Sequence, residues 1–555
     1  MDRFHGFFVF VLLIGAMSVL PAQAPEWLWA STAGGAAWDN AADISCDQWG
    51  NLYIAGMFED SAQFGDATLT SYGSRDVLIA KLDPNGNWLW QLNAGGSSAE
   101  YGSAIVASDS YLYVTGMFFG ASTFGPVSYT SEGSSDMFVA ILDFDGTWDA
   151  VDRSWGTGDC ISYDLKLNAE EDIYLTGQIM GEVELGATTL DCSGTNNRDI
   201  FVTKLDRTGT WEWAVQAGAA GTTPDYAVDL ALDDAENIYI AGAFFGAAQF
   251  GSTVLTSYGA EDIFLAKLDP DGNWLWAVQA GGTSSDNCDS MVRDAEGNLI
   301  LAGRFRGTAT FGTHTLVCSG QENAFLAKAG PNGNWLWAIP LVGANCTGLT
   351  TDSASNIYAT GSFWQPLNLG NYIQTHGGVD LYAAKLDSSG DWLWARGDGA
   401  YGQFSSSQGL GVALNPAGNP CIAGSTMGNA FFNALDGDEF EMCFGEEDIA
   451  VAEINEYTPV EDDLATGPEG VSGLGNAFPN PVRAGSPATL RAWIKAGESG
   501  ELTIFNLRGQ TVCKRQLSPG TQEISLDTGS LPAGLYLCRL HTPSQLQTRK
   551  LVVLK

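Results

Sequence analysis

The chain has 555 residues, 68 of them glycine and 18 tryptophan, and only 16% are charged. That composition suits many short strands and tight turns rather than helices, and the length exceeds one ordinary domain unless that domain is a repeat array. A formal net charge of −40 argues against naked nucleic acid as a partner, because phosphate binding needs a basic surface.

Residues 1–24 read as a secretory signal. Arg3 precedes an apolar run from Phe7 to Ile14 that continues to Leu20, followed by Pro21-Ala-Gln-Ala24. No later segment reaches the ~18 unbroken apolar residues that span a bilayer, so no transmembrane segment is expected once the signal is removed.

From Trp27 the chain repeats. Trp-x-Trp pairs begin at Trp27, Trp88, Trp211, Trp274, Trp335 and Trp392, with a degenerate copy at Trp148, at intervals of 57 to 63 residues. Such a period is the signature of a repeat architecture. The copy beginning at Trp211 shows the plan. Strands are expected over 211–216, 227–232, 237–242 and 262–268, with a connector over 250–257 before the last. Leu268-Asp-Pro-Asp-Gly-Asn-Trp-Leu-Trp-Ala277 then reads as strand, tight turn and new strand. Its two tryptophans, two apart, are expected on one face. The glycine-ended strand recurs seven times, at Gly56, Gly116, Gly177, Gly242, Gly303, Gly361 and Gly424. Most strands are apolar on both faces, so each four-stranded unit needs a neighbour on each side. The expected fold is all-β, a seven-bladed β-propeller over 25–455.

The ends of the array carry one more inference. The last repeat lacks a Trp-x-Trp strand after Ile454, and the first begins with an orphan one, Trp27-Leu-Trp29. Pairing the orphan into the last blade closes the ring and covers an open edge. The pattern Asp-x-Ala followed by Asp-Ala-Glu-Asn-Ile-Tyr-Ile-Ala-Gly242 resembles the bacterial β-propeller repeat of secreted, often surface-bound proteins. That resemblance implies the fold and carries no particular activity.

Residues 456–476 read as a linker, rich in acid, Pro and Gly and without apolar periodicity. Residues 477–555 change character. They hold ten Lys/Arg against four Asp/Glu, a net +6, which leaves −46 for the rest. Short alternating strands here suggest a small antiparallel sandwich, Ig-like in kind. Phe478-Pro-Asn-Pro481, the Asn506-Leu-Arg-Gly509-Gln turn, Pro532-Ala-Gly534-Leu-Tyr536 and the basic last strand together resemble the type A sorting domain of the type IX secretion system. The resemblance implies Phe478, Pro479, Asn480, Pro481, Gly509, Gly534 and Tyr536 as sorting-motif residues. It further implies the secretion machinery as a partner, a Bacteroidota-type host, and a protein secreted or displayed on the outer cell surface.

Chemistry-bearing motifs are sparse. Of four histidines, only His314 and His376 fall in the repeats, on different blades. No G-x-S-x-G, H-E-x-x-H or P-loop occurs. The ten cysteines include Cys160/Cys192, Cys288/Cys318, Cys421/Cys443 and Cys513/Cys538 within single units, open to reading as disulfides or as buried thiols.

Two sets of carboxylates recur in register. Asp76, Asp136, Asp199, Asp262, Asp380 and Asp448, with Asn323 in the remaining copy, sit at a strand entrance and are expected to accept backbone N–H bonds. Asp39, Asp225 and Asp286, with Glu100 and Asp159 one residue off register, precede the strand expected to be innermost. Ringing the channel mouth, Asp39, Asp225 and Asp286 are candidates for a Ca²⁺ site, since hard cations take oxygen ligands. Asp143-Phe-Asp-Gly146 is expected to be a turn rather than a calcium loop. The Trp-x-Trp pairs are expected to pack between blades, whereas Phe244-Phe245 and Trp364 are candidate exposed aromatics. The functional expectation is a non-catalytic binding or adhesion protein for a glycan, matrix component or protein. The alternatives are an extracellular carboxylate-dependent polysaccharide hydrolase or lyase, and a structural surface-layer component.

Overall fold

A computed structural model describes residues 25–554, except 193–196, 220–223, 319, 377, 401–404, 428–429, 434–438, 443–446, 456–472, 479–481, 484–486, 496, 507, 509, 533 and 544–545. The expected signal (1–24), most of the expected linker (456–476), Pro479, Asn480, Pro481 and Gly509 lie outside the described residues. The chain divides into two compact units, Met1–Tyr457 and Thr458–Lys555.

In the first unit, blade 4 is representative. Its strands are Tyr226–Leu232, Ile238–Phe250, Thr253–Leu268 and Trp274–Gly282, antiparallel from inside to outside. In blade 4 the two tight turns are each built by one carboxylate, Asp233 and Asp269. Asp269 Oδ1 accepts the N–H of Asp271 at 3.1 Å and of Asn273 at 2.8 Å. Gly272 completes that turn at φ +81°, where a side chain would be strained. Asp143 forms the same turn through the N–H of Asp145 and Thr147, as expected of that segment.

Among the described residues, seven inner strands form a closed ring. They are Asp39–Cys46, Tyr101–Ala107, Asp159–Leu167, Tyr226–Leu232, Asn287–Arg293, Gly348–Thr351 and Ser406–Leu414; each packs on the next and the last packs on the first. The ring closes as expected: Glu26–Gly35 pairs antiparallel with Asp448–Asn455 and becomes the outer strand of blade 7. Apolar residues fill the spaces between blades. Phe264 and Ala266 of blade 4 face Ile200 and Val202 of blade 3, while Ile263 and Leu265 face Leu301 and Phe325 of blade 5. Alternate residues of one strand thus serve two junctions, which explains the doubly apolar strands.

Two expectations are corrected here. The stretch 250–257 is not a connector. It is the tip of a hairpin that extends the second and third strands, and in most blades this hairpin pairs with the outer strand of the preceding blade. Gly218 and Ala219 of blade 3, for example, pair with Gln249 and Ala248 of blade 4. The tryptophans of a Trp-x-Trp pair do not share a face. A bulge between Lys267 and Leu268 shifts the register, so Trp274 packs into the junction with blade 3 and Trp276 into the junction with blade 5. The extra residue, Leu275, is pushed to 52% exposure. The same bulge recurs at every outer strand, so each strand seals two junctions.

The second unit has two sheets around one core. Gly473–Phe478, Pro487–Ile494 and Gly520–Asp527 form one, and Val482–Arg483, Gly500–Asn506, Thr511–Leu517, Gly534–His541 and Leu546–Leu554 the other. Leu490, Ala492 and Ile524 meet Leu502, Ile504, Cys538 and Val553 between them. Tyr536 is buried, and its hydroxyl donates to the Pro532 carbonyl at 2.6 Å, tying the strand to the turn before it. Gly534 opens that strand.

Candidate functional site

The recurring acids are clamps. Asp39 accepts the N–H of Gly35 at 2.7 Å, from the outer strand of blade 7, and of Glu59 at 3.1 Å, from the hairpin of blade 1. Asp225 joins Ala219 of blade 3 to Phe245 of blade 4 at 2.7 and 2.8 Å, and Asp286 joins Gly282 to Arg306 at 2.7 and 3.0 Å. Glu100 holds the Gly96 N–H at the junction of blades 1 and 2. Asp39, Asp225 and Asp286 are fully buried, one to a junction. They do not ring a channel mouth. Among the described residues no group of three or more His, Cys, Asp or Glu is placed to hold a metal ion. The physical reason is the exposed backbone where an outer strand ends: its N–H groups need acceptors, and the acids supply them.

Burial pushes the carboxyls of Asp39, Asp225 and Glu100 up to about 7, against the opposing pull of those backbone N–H groups. The strand-entrance set behaves as expected of it. Asp76 accepts the Tyr72 N–H, Asp262 that of Tyr258 and Asp380 that of His376. Each set lies against the other: Asp262 and Asp286 are close enough for their charges to repel.

The channel is lined by a feature the sequence reading did not single out. Bulges in the inner strands turn Asp43, Asp164 and Asp229 toward neighbouring blades. Asp43 accepts the Ile105 N–H at 2.9 Å, Asp164 that of Leu230 at 3.0 Å, and Asp229 that of Met291 at 2.7 Å. Lys166 sits among them, 2.6 Å from Asp164 and 3.7 Å from Asp229. Desolvation pulls the Lys166 ammonium down, but Asp164 and Asp229 outweigh it and hold the group above its usual range. It is therefore a cation at any ordinary pH, not a nucleophile. These residues line a cavity of about 400 Å³ on the ring axis. Each of the three acids is the residue just after the inner-strand bulge.

The two ends of the ring differ. One end carries the tight Asx turns. The other carries the hairpins and the loops that join one blade to the next. On that loop end Trp38 is 45% exposed, Trp155 39%, Trp364 46%, Tyr72 65% and Tyr258 63%. Trp364 is thus exposed as expected, whereas Phe244 is fully buried in the junction of blades 3 and 4 and is withdrawn as a binding residue. His376 lies beside Asp380, its Nδ1 3.4 Å from the carboxylate, and His314 opens a short hairpin strand of blade 5. The two lie on different blades. All nine described cysteines, including Cys160, Cys192, Cys288, Cys318, Cys513 and Cys538, are free thiols; Cys443 lies outside the described residues. Cys513 and Cys538 lie on opposite flanks of the same strand, both opposite Ile504, which keeps them a full strand apart.

Residues 476–554 match the secretion system C-terminal sorting domain family. An uncharacterized WD repeat-containing protein, L264 of Acanthamoeba polyphaga mimivirus, is 21% identical over 473 residues, covering 66% of this chain and 34% of its own length. The chain therefore spans about a third of that relative. Among solved structures, the Dos1 propeller overlaps 77% of this chain and 95% of its own at 8% identity and TM-score 0.35. The WD40 propeller domain of Doa1 overlaps 77% and 96% at 9% identity and TM-score 0.37. PorZ, a surface component of the type IX secretion system of Porphyromonas gingivalis, overlaps 98% and 88% at 9% identity and TM-score 0.25. These overlaps are loose, and the fold rests on the strand topology. A closed ring of four-stranded blades, followed by a domain of the sorting family, makes this chain a β-propeller that carries a type IX secretion sorting domain and is exported to the cell surface or released from it.

Proposed function

We propose that the protein is a non-catalytic binding protein of the cell exterior, and that its ligand, a glycan or a protein, meets the loop end of the propeller. One observation carries this reading: among the described residues most large exposed aromatics, Trp38, Trp155, Trp364, Tyr72 and Tyr258, lie on the end that bears the blade-joining loops and hairpins, while Trp49, 59% exposed, lies on the turn-bearing end. Exposed aromatic rings grouped on one face are a mark of an interaction surface. The recurring carboxylates that the repeats place on the channel and at the junctions are engaged in holding blades together. Asp43, Asp164 and Asp229 each hold a neighbouring blade, and Asp39, Asp225 and Asp286 each hold a junction.

The test has two parts. In a Bacteroidota host, a chain lacking 476–555 should stay in the periplasm, and the same segment fused to a passenger with a secretory signal should carry it out. Surface fractions that contain the truncated chain in normal amounts would defeat the export reading. The secreted protein should then bind at least one member of a combined glycan and matrix-protein array while leaving labelled polysaccharides uncut. Cleavage products would favour the enzymatic alternative.

A further inference from the structure

Two of the exposed tryptophans are built differently from ordinary surface residues. Trp155 is clamped by its backbone: its N–H donates to the Glu184 carbonyl at 2.9 Å, and the Glu184 N–H returns to its carbonyl at 2.7 Å. The Arg153 guanidinium lies 3.7 Å from the centroid of its ring. Arg153 is itself only 4% exposed and is fixed by Asp136 at 2.6 Å. Trp38, at the junction of blades 7 and 1, has a looser counterpart of this arrangement. It bridges to Glu447 through the backbone, and Arg75 lies 5.7 Å from its ring while pairing with Glu59 at 3.1 Å. Trp155 is therefore held on a buried guanidinium, Trp38 has one within cation–π reach, and the two keep 39% and 45% of their surface open. Holding a ring in place before binding removes the ordering cost that weakens most surface contacts.

The surroundings choose the ligand. An indole that anchors a protein partner normally sits in an apolar, water-excluding patch. Here one neighbour is the Tyr129 ring, edge to face at 6.5 Å, and the exposed rim is carboxylate. Glu132, 48% exposed, reaches Arg153 and the Gly156 N–H, and the exposed side chains of Glu182 and Glu184 lie on the strand beside Trp155. A flat apolar ring bordered by hydrogen-bond acceptors matches a pyranose, which offers an apolar C–H face and a rim of hydroxyl donors. The acidic surroundings, on a chain of net charge −40, oppose polyanions.

We infer that Trp155 and Trp38 are stacking platforms for the sugar rings of an uncharged or amine-bearing polysaccharide. This rests on the binding reading above and names its ligand class. The test is affinity electrophoresis and calorimetry of the full-length secreted chain with a neutral β-glucan, a galactomannan, a chitosan oligosaccharide and alginate. At least one of the first three should bind and alginate should not. Trp155→Ala should weaken binding about tenfold or more, the Trp38→Ala/Trp155→Ala double variant further, and Trp155→Phe less. Trp49→Ala, an exposed ring on the opposite, turn-bearing end, should leave affinity within about twofold. Melting curves confirm that each variant is folded. Alginate bound as tightly as the neutral glucan, or a folded double variant that binds unchanged, overturns the inference. Binding to matrix proteins alone overturns the saccharide assignment and leaves the binding reading standing. A folded chain that binds neither class defeats both.

Discussion

Ring closure rests on a strand that lies some 420 residues in sequence from its partner. Trp27 is fully buried at the junction of blades 6 and 7, among Tyr358, Leu381 and Trp394. Its Nε1 donates to Asp398 at 2.6 Å. Trp27→Ala removes the ring and one hydrogen bond to a buried carboxylate, while Asp398 keeps Arg396 at 3.0 Å. Truncating a buried Trp costs about 3–5 kcal/mol. For a cooperative unit of roughly 430 residues, the unfolding entropy at the midpoint is about 0.9 kcal/mol/K, so the melting temperature should fall by about 3–6 °C. Leu28 is the matched control: it is the bulged residue of the same strand and 38% exposed. Leu28→Ala should shift the midpoint by less than about 1 °C, since surface changes stay within about 0.5 kcal/mol. Differential scanning calorimetry at two scan rates makes the comparison and exposes any irreversible step. Equal midpoints for the two variants would refute the claim that the first strand holds the ring shut.

Stability should also depend on pH with an unusual sign. Asp39, Asp225 and Glu100 titrate in the fold at about 7, and Asp136, Asp199 and Asp262 at about 6, all from burial and all above their unfolded values near 4. The unfolded chain releases these protons first, so their contribution is complete below about pH 4 and is lost as pH rises to about 7. Turn carboxylates such as Asp233, held down to about 2, have finished titrating below that window. The urea midpoint should therefore fall from pH 5 to pH 8; a midpoint that rises would mean that the backbone N–H groups keep the clamps ionised. Ser355 is a second handle. It occupies φ +62° where other blades place Gly50, Gly297 or Gly418, so Ser355→Gly should stabilise by about 1 kcal/mol in chemical denaturation. Glu236 has the same strain at φ +61°, but its carboxylate accepts the Tyr174 hydroxyl of the preceding blade at 3.3 Å, so Glu236→Gly should gain little or nothing. Equal gains for the two substitutions would show that the blade-to-blade bond contributes nothing.

Much of this protein was legible in its residues alone. A period near sixty, four strands per period and a sorting-type tail need only local patterns, because strand alternation, Asp/Gly turns and Trp spacing are written within a few positions of one another. The orphan Trp27-Leu-Trp29 revealed ring closure by arithmetic. What sequence could not decide was where bulges fall. One inserted residue sends Trp274 and Trp276 to opposite junctions and turns Asp43, Asp164 and Asp229 onto backbone groups of the next blade. A bulge breaks the two-residue rhythm on which sequence reasoning depends, and in the inner strands the acid it turns meets an N–H on a neighbour about sixty residues away. For the same reason Asp39, Asp225 and Asp286 resembled a cation ring while each was serving its own junction. Trp38 and Trp155 stood outside the repeat from the start. Only the fold, by placing Arg75 and Arg153 beside them, distinguishes them from other exposed aromatics.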